Sequence, residues 1–244
     1  MTSKKTKMAF GVEPSQRRYR LRLARYHALA ETIADFCRGK PAGTDKPLDL
    51  LDVGVGSGRS MRYIESAGVA GRIQFHGVDL KMRRLDSVYS SDKWDLTCAN
   101  AEEGLPFKSG NFDIVITEQL LEHLEKPEFV ISEAGRILRP GGLLILGVPI
   151  FPAGIVSIRR LISKLDNRHA PGKGHIQAFS LGSIMTLVQE IGCFKEMKAR
   201  GFRIFSGGIL APLEDFQWWY RLNRYIGSIV PSLCTEVQII AKRK

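Results

Sequence analysis

Three glycines at alternate positions, Gly54, Gly56 and Gly58, follow directly on the apolar run Leu50-Leu51-Asp52-Val53. Glycine permits backbone angles and a closeness of approach that a Cβ forbids. A ligand can then lie against bare peptide groups at a helix N-terminus, where N–H groups lack partners. A strand-to-helix turn without any ligand uses the same residues, so the triplet alone leaves both readings open. The second chemical group is Asp79, which closes the run Ile73-Gln74-Phe75-His76-Gly77-Val78. A carboxylate there can accept hydrogen bonds from two sugar hydroxyls, or it can cap the next helix.

Positioning such groups takes strands that end on one edge and helices that begin there. The hydrophobic pattern supplies them in alternation. Strands are expected at Leu48–Val53, Ile73–Leu80, Asp95–Ala99, Phe112–Thr117, Leu143–Val148, Phe194–Phe205 and Thr235–Ala241. Helices are expected at Ser57–Ser66, Met82–Tyr89, Pro127–Leu138 and Ile155–Leu165. Ser180 caps a further helix running to Ile191, with Ile184, Leu187, Val188 and Ile191 inward and Gly192 as its stop. Near the start, Tyr19, Leu23, Tyr26, Ala30, Ile33 and Cys37 recur at steps of three and four, one apolar helical face. Alternation of this kind predicts an α/β fold with a mostly parallel sheet and helices on both faces.

The glycine spacing discriminates between ligand classes. A dinucleotide fingerprint, G-x-G-x-x-G, would need glycine where Arg59 stands. The tighter G-x-G-x-G of Gly54, Gly56 and Gly58 resembles motif I of class I S-adenosylmethionine-dependent methyltransferases. Further stretches resemble that family in order and register: Asp79 after the second strand, Asn100-Ala101-Glu102 with Leu105-Pro106-Phe107, Asn111-Phe112-Asp113-Ile114-Val115-Ile116, and Leu138-Arg139-Pro140-Gly141-Gly142-Leu143-Leu144. The resemblance covers roughly residues 48–150. It implies a Rossmann-like, seven-stranded sheet over a single domain, 1–244, with S-adenosyl-L-methionine as cofactor. It assigns cofactor contact to Asp52, Gly54, Val55, Gly56, Gly58, Asp79, Leu80, Asn100, Ala101, Glu102, Glu118 and Gln119. Asn100 departs from the family's usual Asp at the adenine amino group. Its amide oxygen accepts without charge, which weakens that contact.

In this chemistry the sulfonium cofactor carries the reactivity. The protein positions the partners and excludes water, and a base helps only where the acceptor must lose a proton. Glu118 follows the fourth strand and can bind cofactor, face substrate or start a helix. His123, in Leu121-Glu122-His123-Leu124, is a base candidate or a structural hydrogen-bonder. Some relatives bind a metal through a Glu three residues before such a Glu-His pair. Gln119 stands there instead, so no metal is expected. His175 opens His-Ile-Gln-Ala-Phe-Ser, an element similar to one in several small-molecule methyltransferases. It is the stronger candidate for a base or substrate-binding group, or it packs a helix entry. These resemblances imply a small-molecule, lipid-linked or glycan-linked acceptor, with oxygen the favoured atom. The alternatives are RNA or protein methylation and a non-catalytic cofactor-binding regulator, with a nicotinamide-dependent oxidoreductase behind them. The fourth strand ends Thr117-Glu118-Gln119-Leu120, without the Pro-Pro-Tyr-like turn or cysteine of many nucleic-acid methyltransferases, so nucleic acid is not favoured.

Composition bounds the remaining classes. Hydrophobic residues make up 44% and charged residues 25% of 244 positions, which excludes a disordered, collagenous or coiled-coil chain. Cys37, Cys98, Cys193 and Cys234 stand too far apart for a zinc or disulfide framework, which suits a reducing cytoplasm. Lys4, Lys5 and Lys7 precede an apolar run of only Met8–Val12, too short for a signal-peptide core. The net charge of +11 is carried by the ends, with +7 over residues 1–40 and +5 over 195–244. In the basic N-terminal extension, 1–40, Arg18, Arg22 and Arg25 share a face that is either solvated or drawn to phosphates, anionic lipid or an acidic substrate. Two late stretches, 166–178 and 206–232, are candidate lids. The second places Phe216, Trp219, Asn223, Ile226 and Val230 on one face and holds two of the three tryptophans. It reads as a core-packing helix, a lid over an apolar acceptor, or a helix lying on an anionic membrane.

Overall fold

A computed structural model describes residues 21–40, 46–81, 94–151, 177–204 and 208–244. The expected helices at Met82–Tyr89 and Ile155–Leu165, and the candidate residues Arg18, Tyr19 and His175, lie outside the described residues.

The described strands form one seven-stranded sheet. They are β1 (Leu48–Val53), β2 (Ile73–Asp79), β3 (Trp94–Cys98), β4 (Phe112–Glu118), β5 (Leu138–Pro149), β6 (Phe194–Phe202) and β7 (Glu236–Arg243). Their spatial order is β3-β2-β1-β4-β5-β7-β6. Strands β1 to β5 run parallel, and β7 enters antiparallel between β5 and β6. The α-helices among the described residues are α1 (Ala24–Arg38), α2 (Arg59–Ser66), α3 (Pro127–Ile137), α4 (Leu181–Glu190) and α5 (Gln217–Ile229).

The period-two alternation along each strand divides the core. In β1, Leu50 joins Ile33, Tyr63 and Ile64 of α1 and α2 on one side of the sheet. Leu51 and Val53 join Val130, Ile131, Ile184 and Val188 of α3 and α4 on the other. Both faces are therefore covered, which is why the central strands carry nearly continuous apolar runs.

Most boundaries fall within two residues of expectation, and the departures have local causes. Helix α2 begins at Arg59 rather than Ser57, because Gly58 adopts a left-handed φ of 63° as its N-cap. Strand β5 begins at Leu138, five residues early, with a register irregularity between Phe112 and Ile114 of β4 that accommodates the Pro-Gly-Gly run. Helix α4 carries the expected cap: Ser180 and Ser183 form a reciprocal capping box. Helix α1 buries Ala30, Ile33 and Cys37 of the expected face, and Leu29 beside them.

Two expectations about side-chain direction are overturned. Arg25 does not share a solvated or phosphate-seeking face. Its guanidinium turns inward, 2.9 Å from Glu236 and 3.6 Å from Glu118. Phe216 does not join the inner face of the late helix either. It precedes α5 as its N-cap in an extended conformation and is exposed, while Trp219, Asn223 and Gly227 form the buried seam.

Candidate functional site

The site grows from the C-terminal ends of β1, β2 and β4, where the chain leaves the sheet on one edge. After Val53 the chain turns sharply: Gly54, Gly56 and Gly58 take φ values of 76°, 54° and 63°. These are left-handed conformations that cost an L-residue about 1 kcal/mol or more. The amides of Gly54 and Val55 both donate to the carbonyl of Val78, at 2.8 and 3.0 Å, which locks the turn to β2. Val55 is buried and packs on Gly77, where an added Cβ would lie 3.2 Å from it. Thus Val55 supports the turn from beneath.

Asp79 ties the two loops together. One carboxylate oxygen accepts the Gly56 amide at 3.1 Å and the other accepts the Lys81 amide at 3.0 Å. Each oxygen keeps further acceptor capacity. Asp79 and its neighbours Leu80 and Lys81 wall a crevice of roughly 610 Å³, within the size range of small-molecule sites. Val53, Gly54 and Val78 line its floor. Ala99, Asn100, Ala101 and Glu102 line one side, and Gln119, Leu120, His123 and Leu124 the other.

Asn100 caps the short 3-10 turn Ala101–Glu103: its Oδ1 accepts the Glu102 amide at 3.1 Å and its Nδ2 donates to Glu103 at 2.8 Å. The Glu102 carboxylate accepts the amides of Glu125 and Lys126 at 2.7 and 2.9 Å, so it braces the entry to α3. Gln119 holds a positive φ of 56°, an uncommon conformation for a non-glycine residue. Its Nε2 is buried without a hydrogen-bond partner, although the residue lines the crevice. That donor is therefore available to an acceptor placed in the crevice.

Of the expected cofactor residues, Val55, Gly56, Gly58, Asp52 and Glu118 do not line the crevice, and the last two are carboxylates buried behind it. Asp52 is buried and accepts a hydrogen bond from the Ser60 hydroxyl of α2. Burial pushes its carboxyl up to about 7, against the pull of that hydroxyl, with Asp79 raising it further. Glu118 lies over Gly147, whose missing Cβ makes room for the carboxylate. It accepts from Gln238 and faces Arg25. Burial lifts it to about 8 although Arg25 opposes the shift. Glu236 completes the cluster, 2.5 Å from Arg203. Beside it, Glu122 is fully buried with neither carboxylate oxygen hydrogen-bonded, and burial raises it to about 7. His123 is half-exposed on the crevice wall, its Nε2 4.0 Å from Glu122. Sequence reasoning missed Arg25, Glu236 and Gln238. Arg25 looked like one of many surface arginines, and only the antiparallel entry of β7 brings Glu236 and Gln238 to the end of β4.

The strand order, the antiparallel β7 and the glycine crevice define the class I methyltransferase-type Rossmann-like fold. Residues 51–146 match the family described as methyltransferase domain. The chain is 30% identical over 154 residues to the 27-O-demethylrifamycin SV methyltransferase of Amycolatopsis mediterranei, covering 59% of this chain and 53% of that protein. It is 33% identical over 98 residues to a ubiquinone biosynthesis O-methyltransferase of Aromatoleum aromaticum, covering 38% and 40%. It spans about half the length, or less, of these curated relatives. A solved S-adenosylmethionine-dependent methyltransferase from Thermotoga maritima superposes with a TM-score of 0.56 at 22% identity, covering 91% of this chain and 94% of that one. Residues 51–146 thus carry the match to a methyltransferase domain, inside a sheet with the class I methyltransferase strand order.

Proposed function

We propose that the chain transfers a methyl group from S-adenosylmethionine to a small-molecule acceptor, most favourably to an oxygen, with lipid-linked or glycan-linked acceptors included in the class. The observation that supports this best is the crevice at the ends of β1 and β2, where the left-handed Gly54 and the Asp79 carboxylate line one space. Asp79 would accept the ribose hydroxyls, while Gly54 and Gly56 would leave room against the backbone. Asn100 and the Ala101 amide would meet the adenine ring, with Leu80 against the nucleoside. Gln119 would donate through its orphaned Nε2 near the methionine portion. When bound, the cofactor supplies an electrophilic methyl on a cationic sulfur, and the chain needs only to orient the acceptor and exclude water.

His123 and His175 are the proposed bases for an acceptor that must lose a proton. His123 already lines the crevice. The buried group of Arg25, Glu118 and Glu236 is proposed to hold the end of β4 in place rather than to touch cofactor. The four free thiols accord with a reducing, cytoplasmic setting. Among the described residues no helix is long and apolar enough to cross a membrane. The test is calorimetry with S-adenosylmethionine and NAD in parallel, followed by radiolabelled methyl transfer over small-molecule, lipid and glycan extracts. Binding of the first cofactor with label incorporation is expected; binding of NAD alone would overturn the reading.

A further inference from the structure

Six of the eight large hydrophobic side chains exposed among the described residues gather on one short stretch: Phe216, Trp218, Leu222, Tyr225, Ile229 and Leu233. Four of them, Trp218, Leu222, Tyr225 and Ile229, are spaced by four, three and four residues. They therefore form one stripe along α5. The opposite seam is fixed. Trp219 and Asn223 are buried, and Gly227 approaches β6 so closely that an added Cβ would lie 2.2 Å from the Gly201 carbonyl oxygen. Trp218 stands edge-on to the buried Trp219 at 5.4 Å. The helix is clamped by its inner face, and its outer face is held out rigidly. Trp218 is 55%, Tyr225 66% and Ile229 60% exposed.

The flank of the stripe decides what covers it. A groove beside it is lined by Arg200, Arg221 and Arg224 together with Tyr220 and Tyr225, and no acidic residue lines it. Helix α5 itself carries two arginines and no acid. Arg224 is held against Glu31 of α1 at 2.8 Å, while Arg221 is exposed. A second copy packed on this face would set arginine grooves against each other on chains that already carry +11 each. A lid over the crevice is also poorly placed, because α5 packs on β6, the edge strand four positions from β1. Aromatic and aliphatic side chains flanked by arginines match a lipid surface, where rings sit at headgroup depth and guanidinium groups meet phosphates.

We propose that the outer face of α5 docks the chain onto an anionic lipid membrane, with Trp218, Leu222, Tyr225 and Ile229 entering the headgroup region and Arg221 pairing with lipid phosphate. This docking goes beyond the methyl-transfer reading and does not depend on it.

The test is sedimentation of the full chain with vesicles of phosphatidylcholine alone and of an equal mixture with phosphatidylglycerol. Binding to the mixed vesicles that weakens with salt is expected. Trp218→Glu should lower that partition about tenfold or more, and Arg221→Glu should flatten its salt dependence. Neither change touches the crevice, so S-adenosylmethionine affinity should stay at the wild-type value. A loss of cofactor binding with vesicle binding retained would fault the crevice reading alone. Brominated acyl chains should quench wild-type tryptophan emission, and Trp218→Phe should remove most of that quenching, a readout that needs no disruptive variant. Failure to sediment with anionic vesicles at low salt would overturn the proposal. So would undiminished binding of a Trp218→Glu/Ile229→Glu double variant, or a wild-type dimer that Trp218→Glu dissociates.

Discussion

Replacing Asp79 by Ala separates what its carboxylate does for the fold from what it does for the ligand. The fold term comes from two backbone hydrogen bonds, from Gly56 at 3.1 Å and Lys81 at 3.0 Å. Hydrogen bonds to a charged group contribute about 1.5–3 kcal/mol each when buried. Lys81 is exposed and Gly56 half-buried, so water replaces part of the loss. A destabilisation of about 2 kcal/mol is therefore expected. For a chain of this size that lowers the melting temperature by about 4–8 °C and leaves the protein folded at room temperature. The ligand term is larger. Two ribose hydroxyls lose a charged acceptor and the Gly56 amide loses its anchor, which together amount to about 3–4 kcal/mol after discounting for water. That corresponds to a dissociation constant raised roughly 10²–10³-fold. Asp79→Asn keeps the shape and one acceptor oxygen, but turns an NH₂ toward one backbone amide, and should fall near tenfold. Calorimetry with S-adenosylmethionine, paired with melting curves with and without it, reads both terms. A folded Asp79→Ala protein with wild-type affinity would refute the assignment of this carboxylate to the sugar.

Other changes probe the surroundings of the crevice. Gly54→Ala forces a residue with φ of 76° and places its Cβ 3.1 Å from a Leu120 methyl. It should cost about 1–2 kcal/mol in a melting experiment and cut cofactor affinity more than stability. Asp52 moves from its ordinary value of 3.8 to about 7 on folding. The native state therefore holds a proton that the unfolded chain has released, so this group's contribution is greatest below pH 4, falls as pH rises toward 7 and is flat above. Asp52→Asn should abolish that decline and raise stability at pH 8 by about 2 kcal/mol, measured by denaturant titration across pH; an unchanged pH slope would count against it. Arg25→Met leaves Glu118 and Glu236 buried without their shared cation and should destabilise by about 3–5 kcal/mol. Adding Glu118→Gln should recover part of that loss above pH 8, where Glu118 would otherwise be an ionised, buried carboxylate without Arg25.

The glycine triplet, the carboxylate after the second strand and the βα alternation were legible from residue order because each is a local device. A tight turn needs glycine where φ is positive, a parallel strand needs apolar runs, and both lie within a few residues of each other in Leu50–Gly58. The caps behaved likewise: Ser180 and Ser183 satisfy each other within one turn of α4. What sequence spacing could not convey is which charged side chains meet across the sheet. Arg25 and Glu236 are 211 residues apart, and nothing in either neighbourhood marks the pair. Only the insertion of β7 between β5 and β6 brings Glu236 and Gln238 beside the end of β4, drawing Arg25 inward and pulling Glu118 behind the crevice. The orientation of α5 was tertiary in the same sense. Its composition suited core, lid or membrane, and the choice of seam fell to the Gly227–Gly201 contact, where two backbones approach because neither carries a side chain.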